Sequence, residues 1–140
     1  LIAVLLVEDD PGDVVMTREA LEDTGVTSRL DVVGDGAQAL DFLYRRGPYA
    51  DALPPDLILL DLNLPKMHGQ EVLSAVKADP QLRHIPVVVL TTSEAEEDVL
   101  RSYDGHANAY VTKPVDFESF VAVVRQIDDF FVSIVRLPHH

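Results

Sequence analysis

Cysteine is absent from the 140 residues, which excludes disulfides and thiolate metal sites and fits a reducing cytoplasm. Basic residues are scarce: 11 Lys and Arg stand against 24 Asp and Glu, for a net charge of −13. A chain this acidic is repelled by phosphate backbones and anionic lipid, so neither nucleic acid nor membrane is expected as a partner. A basic protein surface or a divalent cation fits better. Long hydrophobic runs are also missing. The longest, LIAVLLV (1–7), is too short to cross a bilayer, and no basic leader precedes it. Phosphate-cradling glycine loops do not occur either: neither G-x-G-x-x-G nor the Walker pattern is found. No internal repeat or low-complexity stretch interrupts the chain.

What is there is an alternation. Hydrophobic residues make up 47% of the sequence, enough for a packed core. The length suits one domain, expected over 1–135, with 136–140 as a tail whose two histidines resemble the remnant of a tag. Apolar runs at 1–7, 29–34, 57–62, 85–92 and 108–114 read as strands, the first and the central ones buried on both faces. Segments of helical period lie between them. Asp10-Pro11 opens the first, with Val14, Thr17, Ala20 and Leu21 inward. Asp35-Gly36 opens the second, with Ala37, Leu40, Leu43 and Tyr44 inward. A third runs over 69–78 with Val72, Leu73 and Val76 on one face, and Ser93 with Glu96 forms a capping box for a fourth. Asp116 caps a last helix. Residues 45–56, RRGPYADALPPD, form a Pro/Gly-broken loop. Five strand-then-helix units predict an α/β fold, a doubly wound five-stranded parallel sheet with strand order 3-2-1-4-5 or 2-1-3-4-5. In either order ligands bind beyond the carboxyl ends of the strands.

Those ends are polar. Glu8, Asp9 and Asp10 follow the first strand, Asp61 and Asn63 the third, Thr91 and Thr92 the fourth, Lys113 the fifth. Two carboxylates ~4 Å apart repel by about 4 kcal/mol at an effective dielectric near 20. A proton, a lysine or a metal must therefore neutralise the cluster. With oxygen ligands alone the metal is a hard one, Mg²⁺. A lysine and a hydroxyl beside it suit a phosphoryl group. Without a glycine-rich loop, the nucleophile is a side chain near the metal, and Asp61 is central. Asp10 reads as a helix cap, Asp56 as a residue at the start of a strand, and His68, His84 and His106 as surface residues.

VEDD (7–10), DLNLPKMHG (61–69), LTTS (90–93) and YVTKP (110–114) resemble the four signatures of response-regulator receiver domains. The match runs in register from about Ile2 to Ile127. Each motif alone is weak; all four, in order and at strand ends, are specific. The resemblance implies the flavodoxin-like order 2-1-3-4-5 and an extended C-terminal helix. It implies Asp61 as phosphoacceptor, Asp9 as a direct Mg²⁺ carboxylate, Glu8 as a ligand through water, and Asn63 as a carbonyl ligand. Thr91 would be the switch hydroxyl, Tyr110 the aromatic that moves with it, and Lys113 the phosphate partner, with a cis bond before Pro114. The chain would act as a signalling phosphoacceptor rather than an enzyme. A histidine kinase would be its donor, and the surface of fourth helix, fifth strand and fifth helix its output. The loop 45–56, LTTS, HANAYVTKP and the long last helix look closest to receivers that partner phytochrome kinases. Glu8 for Asp, His68 for Asp and Thr92 for Ala or Gly depart from the common pattern.

The last helix carries two apolar sets. Phe117, Phe120, Val121, Val124, Ile127 and Phe131 cover the sheet; Val123, Phe130 and Ile134 lie to one side. One surface helix does not bury both, so a homodimer through Val123, Ile127, Phe130 and Ile134 is expected. Three rival readings have sequence tests. An aspartyl-phosphate phosphatase needs a second Asp where Asn63 stands. An FMN carrier needs Ser, Thr or Gly where Glu8-Asp9-Asp10 stands. A phosphotransfer-dead scaffold would not need Asp61, Asp9, Thr91 and Lys113 together.

Overall fold

The computed structural model describes residues 2–24, 27–62, 64, 69–91, 109–113 and 118. Five strands, β1 (Ile2–Val7), β2 (Thr27–Val33), β3 (Leu57–Asp61), β4 (Val87–Thr91) and β5 (Ala109–Thr112), form one sheet. Their order is β2-β1-β3-β4-β5 and every described pairing is parallel. This is the second of the two orders the sequence allowed. It puts β3 at the centre, between β1 and β4.

Helices α1 (Pro11–Thr24), α2 (Gly36–Leu43) and α3 (Gly69–Ala78) cover the sheet. Alternate strand residues point to opposite faces, and both faces are apolar because both are covered. Leu5, Val7, Ile58, Leu60, Val87 and Val89 pack with Ala39, Phe42, Val72 and Val76 of α2 and α3. Val4, Leu6, Leu57, Leu59, Val88 and Leu90 pack with Ala20 and Leu21 of α1. β3 and β4 are buried at every position, which is why neither shows alternation in the sequence.

Two sequence expectations shift. On α2 the inward residues are Ala39, Phe42 and Leu43, whereas Ala37 and Tyr44 face solvent. Asp35 accepts from the Gln38 N–H at 2.8 Å and fixes where the helix starts, so its phase follows the cap rather than the nearest aromatic. β4 begins at Val87, not Ile85: the Ile85 N–H closes a turn on Leu82 O at 2.9 Å, so Ile85 is a buried turn residue. The loop 45–56 contains a short 3₁₀ helix at Gly47–Tyr49, with Tyr49 stacked obliquely on Phe42 at 5.5 Å. The capping box at Ser93 and Glu96, Asp116, and the last helix with its apolar sets lie outside the described residues, as do His68, Thr92, His106 and Pro114.

Candidate functional site

Backbone bonds bring the strand ends together. Glu8 N–H donates to Val33 O at 2.9 Å, Leu62 N–H to Leu90 O at 3.1 Å, and Lys113 N–H to Thr91 O at 2.7 Å. Each ladder thus continues one residue past its strand and holds the polar residues at one edge. Gly69 serves the same edge from α3. A β-carbon there would lie 2.4 Å from Asp61 O and 2.7 Å from Leu62 Cα, so only glycine lets the helix start so close to the strand end.

Asp61 is 2% exposed, Glu8 2% and Thr91 0%, an unusual set of buried polar residues. Asp9 is exposed. One carboxylate oxygen from each of Glu8, Asp9 and Asp61 lies within 4.8 Å of the others. Lys113 closes the cluster. Its Nζ donates to Glu8 Oε1 and Oε2 at 3.0 Å each and to Asp13 Oδ2 at 3.0 Å, and lies 3.1 Å from Asp61 Oδ2. Three carboxylates therefore surround one ammonium, and Asp9 lies beside two of them.

The electrostatics follow from this crowding. Burial first, then the hydrogen bond and charge of Asp61, push the Glu8 carboxyl up to about 8, against the downward pull of Lys113. Burial works to lower the Lys113 ammonium, but its contacts with Glu8, Asp13 and Asp61 outweigh it and hold the group protonated. The Lys113 hydrogen bond draws the Asp13 carboxyl down. Glu8 thus keeps a proton near neutral pH, a proton that a cation of higher charge can displace.

Of the sequence-predicted residues, Glu8, Asp9, Asp61, Thr91 and Lys113 converge at this edge, and Tyr110 sits on β5, partly buried against the α2 and α3 side of the core. Asn63 lies outside the described residues. Asp10 caps α1, accepting from the Gly12 N–H at 2.8 Å, and Asp56 pairs with Ala3, both as the sequence suggested. Asp13 was not anticipated. An acidic residue in the first helical turn reads as a helix-dipole partner; its signal lay in the helix starting at Pro11, which turns its third residue back over the end of β1.

The donor set is all oxygen and all carboxylate, which suits a hard divalent cation. Bonds of about 2.1 Å span oxygens some 3–4 Å apart, so the three acids close on such an ion with small side-chain adjustments.

Comparison with known proteins identifies the family. The profile of the response regulator receiver domain matches residues 4–125. Response regulator Rcp1 of Synechocystis sp. (strain PCC 6803) is 44% identical over 135 residues, 96% of this chain and 92% of Rcp1. A crystal structure of Rcp1 in its Mn²⁺-bound form superposes with a TM-score of 0.77 at 43% identity, covering 94% of each chain. The bacteriophytochrome response regulator RtBRR gives a TM-score of 0.86 at 50% identity, over 91% of this chain and 78% of that one. The phosphorylated cyanobacterial phytochrome response regulator RcpA gives 0.77 at 45% identity, over 95% of both. With five parallel strands in the order 2-1-3-4-5 and acids, hydroxyl and lysine at one edge, this chain belongs to the response regulator receiver domain family.

Proposed function

We propose that the chain accepts a phosphoryl group on Asp61 from a histidine kinase. One observation carries this reading: the buried Asp61 carboxylate lies 3.1 Å from the Lys113 ammonium and within 4.8 Å of the Glu8 and Asp9 oxygens. An Asp61 oxygen attacks the phosphorus of a phosphohistidine. An O–P bond forms, the P–N bond breaks, and the imidazole leaves with the electron pair and takes a proton from water. Lys113 pairs with a transferring oxygen. Glu8, Asp9 and Asp61 would hold Mg²⁺, with the main-chain carbonyl of Asn63 as a further ligand. Bound there, the cation neutralises charge that builds on the phosphoryl oxygens.

Thr91 ends β4, beside β3, and its hydroxyl turns to the phosphoryl group. Tyr110 follows on β5, and the surface around β5 moves between two populations that a partner reads. Water hydrolyses the acyl phosphate slowly and restores Asp61; no other turnover is assigned to the chain. The partner we assign is a phytochrome-type kinase, a choice supported by the likeness to RtBRR and RcpA. The homodimer through Val123, Ile127, Phe130 and Ile134 is supported by their spacing in the sequence. Phe130→Asp then gives a monomer by light scattering.

The test is intact mass after incubation with acetyl phosphate and Mg²⁺. A single phosphoryl adduct appears, and EDTA or Asp61→Asn removes it. An adduct that survives in Asp61→Asn moves the acceptor elsewhere. Transfer from an autophosphorylated phytochrome kinase, faster than from an unrelated kinase, tests the partner.

A further inference from the structure

An ammonium group has three N–H donors and no more. In this structure Lys113 donates to both Glu8 oxygens and to Asp13 Oδ2, each at 3.0 Å, and lies 3.1 Å from Asp61 Oδ2. On the phosphoacceptor reading two of those partners have other work: Glu8 and Asp61 belong to the group of acids able to hold a cation, and Asp61 carries the phosphoryl group. A lysine held only by them would lose its place as they turn. Asp13 is different. It does not belong to that group among the described residues, and it stands on α1, whose start is fixed by Pro11 and by the Asp10 cap. Its Oδ2 lies 3.0 Å from Nζ across 100 residues of sequence.

We infer that Asp13 is a positioning residue for phosphoryl transfer, anchoring the Lys113 ammonium beside Asp61 while Glu8 and Asp61 turn to a cation. This rests on the reading of Asp61 as phosphoacceptor. With the anchor in place, one N–H of Lys113 stays on Asp13 and the others are released toward the incoming oxygens. Without it, Lys113 either closes fully on Glu8 and Asp61, competing with the cation, or swings into solvent.

The experiment compares Asp13→Ala, Asp13→Asn and Asp13→Glu with the wild type at saturating Mg²⁺, so that cation affinity drops out of the phosphorylation rate. A displaced reacting group costs up to about a hundredfold in rate, and here the expected maximal-rate loss is about tenfold in Asp13→Ala. Asp13→Asn, which keeps an acceptor oxygen, loses less, and Asp13→Glu regains most of the rate. A second readout needs no metal: the side-chain ammonium signal of Lys113 in ¹H–¹⁵N spectra, protected in the wild type and broadened by exchange in Asp13→Ala. Wild-type maximal rates in all three variants overturn the inference. So do equal losses in Asn and Ala, which mark a field effect of the charge, and so does an unchanged Lys113 signal. A helix-stabilising role alone moves the unfolding midpoint and neither readout. A wild-type chain that takes no phosphoryl group overturns the phosphoacceptor reading and this role with it; a phosphorylated wild type with indifferent Asp13 variants overturns this role alone.

Discussion

The two edges of the sheet treat charge in opposite ways. At the edge where the strands begin, the Asp56 carboxylate and the Lys77 ammonium meet neutral backbone, and the Arg29 guanidinium is matched by one carboxylate, Asp31, at 2.7 Å. Asp56 accepts from the Ala3 N–H at 2.9 Å while its own N–H donates to Ala3 O at 2.7 Å. Lys77 reaches Arg83 O at 3.1 Å and Ile85 O at 3.0 Å, tying the end of α3 to the turn before β4. At the edge where the strands end, three carboxylates, Glu8, Asp13 and Asp61, crowd one ammonium, and one carboxyl holds its proton up to about 8. The first edge is arranged for stability. The second stores repulsion that a cation relieves, which is the signature of a working site.

The strongest way to break the comparison is Gly69→Ala. It harms the charged edge through backbone rather than charge, because the new carbon would sit 2.4 Å from Asp61 O. Overpacking of this kind costs about 3 kcal/mol. Urea unfolding should show that loss, and phosphorylation should fall with it as Asp61 is displaced.

Next is pH. Glu8, raised to about 8 in the folded chain from an ordinary 4.5, binds its proton more tightly folded than unfolded. Its stabilising effect is full below about pH 4.5 and is lost as pH rises toward 8. The metal-free protein should therefore weaken over that window, by on the order of 5 kcal/mol. Glu8→Gln should flatten the slope. Mg²⁺ should reverse it, because a cation displaces the same proton, and its affinity should rise with pH up to about 8. Thermal unfolding at a series of pH values, with and without Mg²⁺, checks all three.

Asp56→Ala probes the quiet edge. It leaves the Ala3 N–H without its carboxylate, a loss of about 2 kcal/mol for a buried donor. Phosphorylation of the folded fraction should stay within twofold of wild type. A large kinetic effect would show that the two edges are coupled.

How much of this was legible in the sequence depends on what fixed each feature. Strand ends were legible because burial on both faces makes an apolar run and function puts a polar residue after it, as LILL then Asp61 shows. The central place of β3 followed from the four motifs in order. Gly69 was legible as part of a motif, but not its reason, which is contact with a strand eight residues back. Asp13 was hidden because its contact is with Lys113, 100 residues away, and no local pattern marks such a partner. The inward face of α2 was misread because Tyr44 looked like a core aromatic; it lies at the end of the helix, with the Arg46 guanidinium 5.0 Å from its ring centre.

The smallest effect sharpens the comparison most finely. Asp10 sits beside Asp9 in the acidic row, although its place before Pro11 already marks it in the sequence as a helix cap. In the structure its carboxylate accepts from the Gly12 N–H at 2.8 Å and its carbonyl from the Val14 N–H at 3.0 Å, so it belongs to the start of α1. Asp10→Ala should cost about 1 kcal/mol, the value of a helix cap. Mn²⁺ affinity, read from the loss of the free-ion electron paramagnetic resonance signal, should change less than twofold, whereas Asp9→Ala should weaken it severalfold or more. Neighbouring acids that respond so differently would show that the boundary between scaffold and site runs between residues 9 and 10. Equal losses of affinity would place the cation farther along the loop and widen the site to include the helix cap.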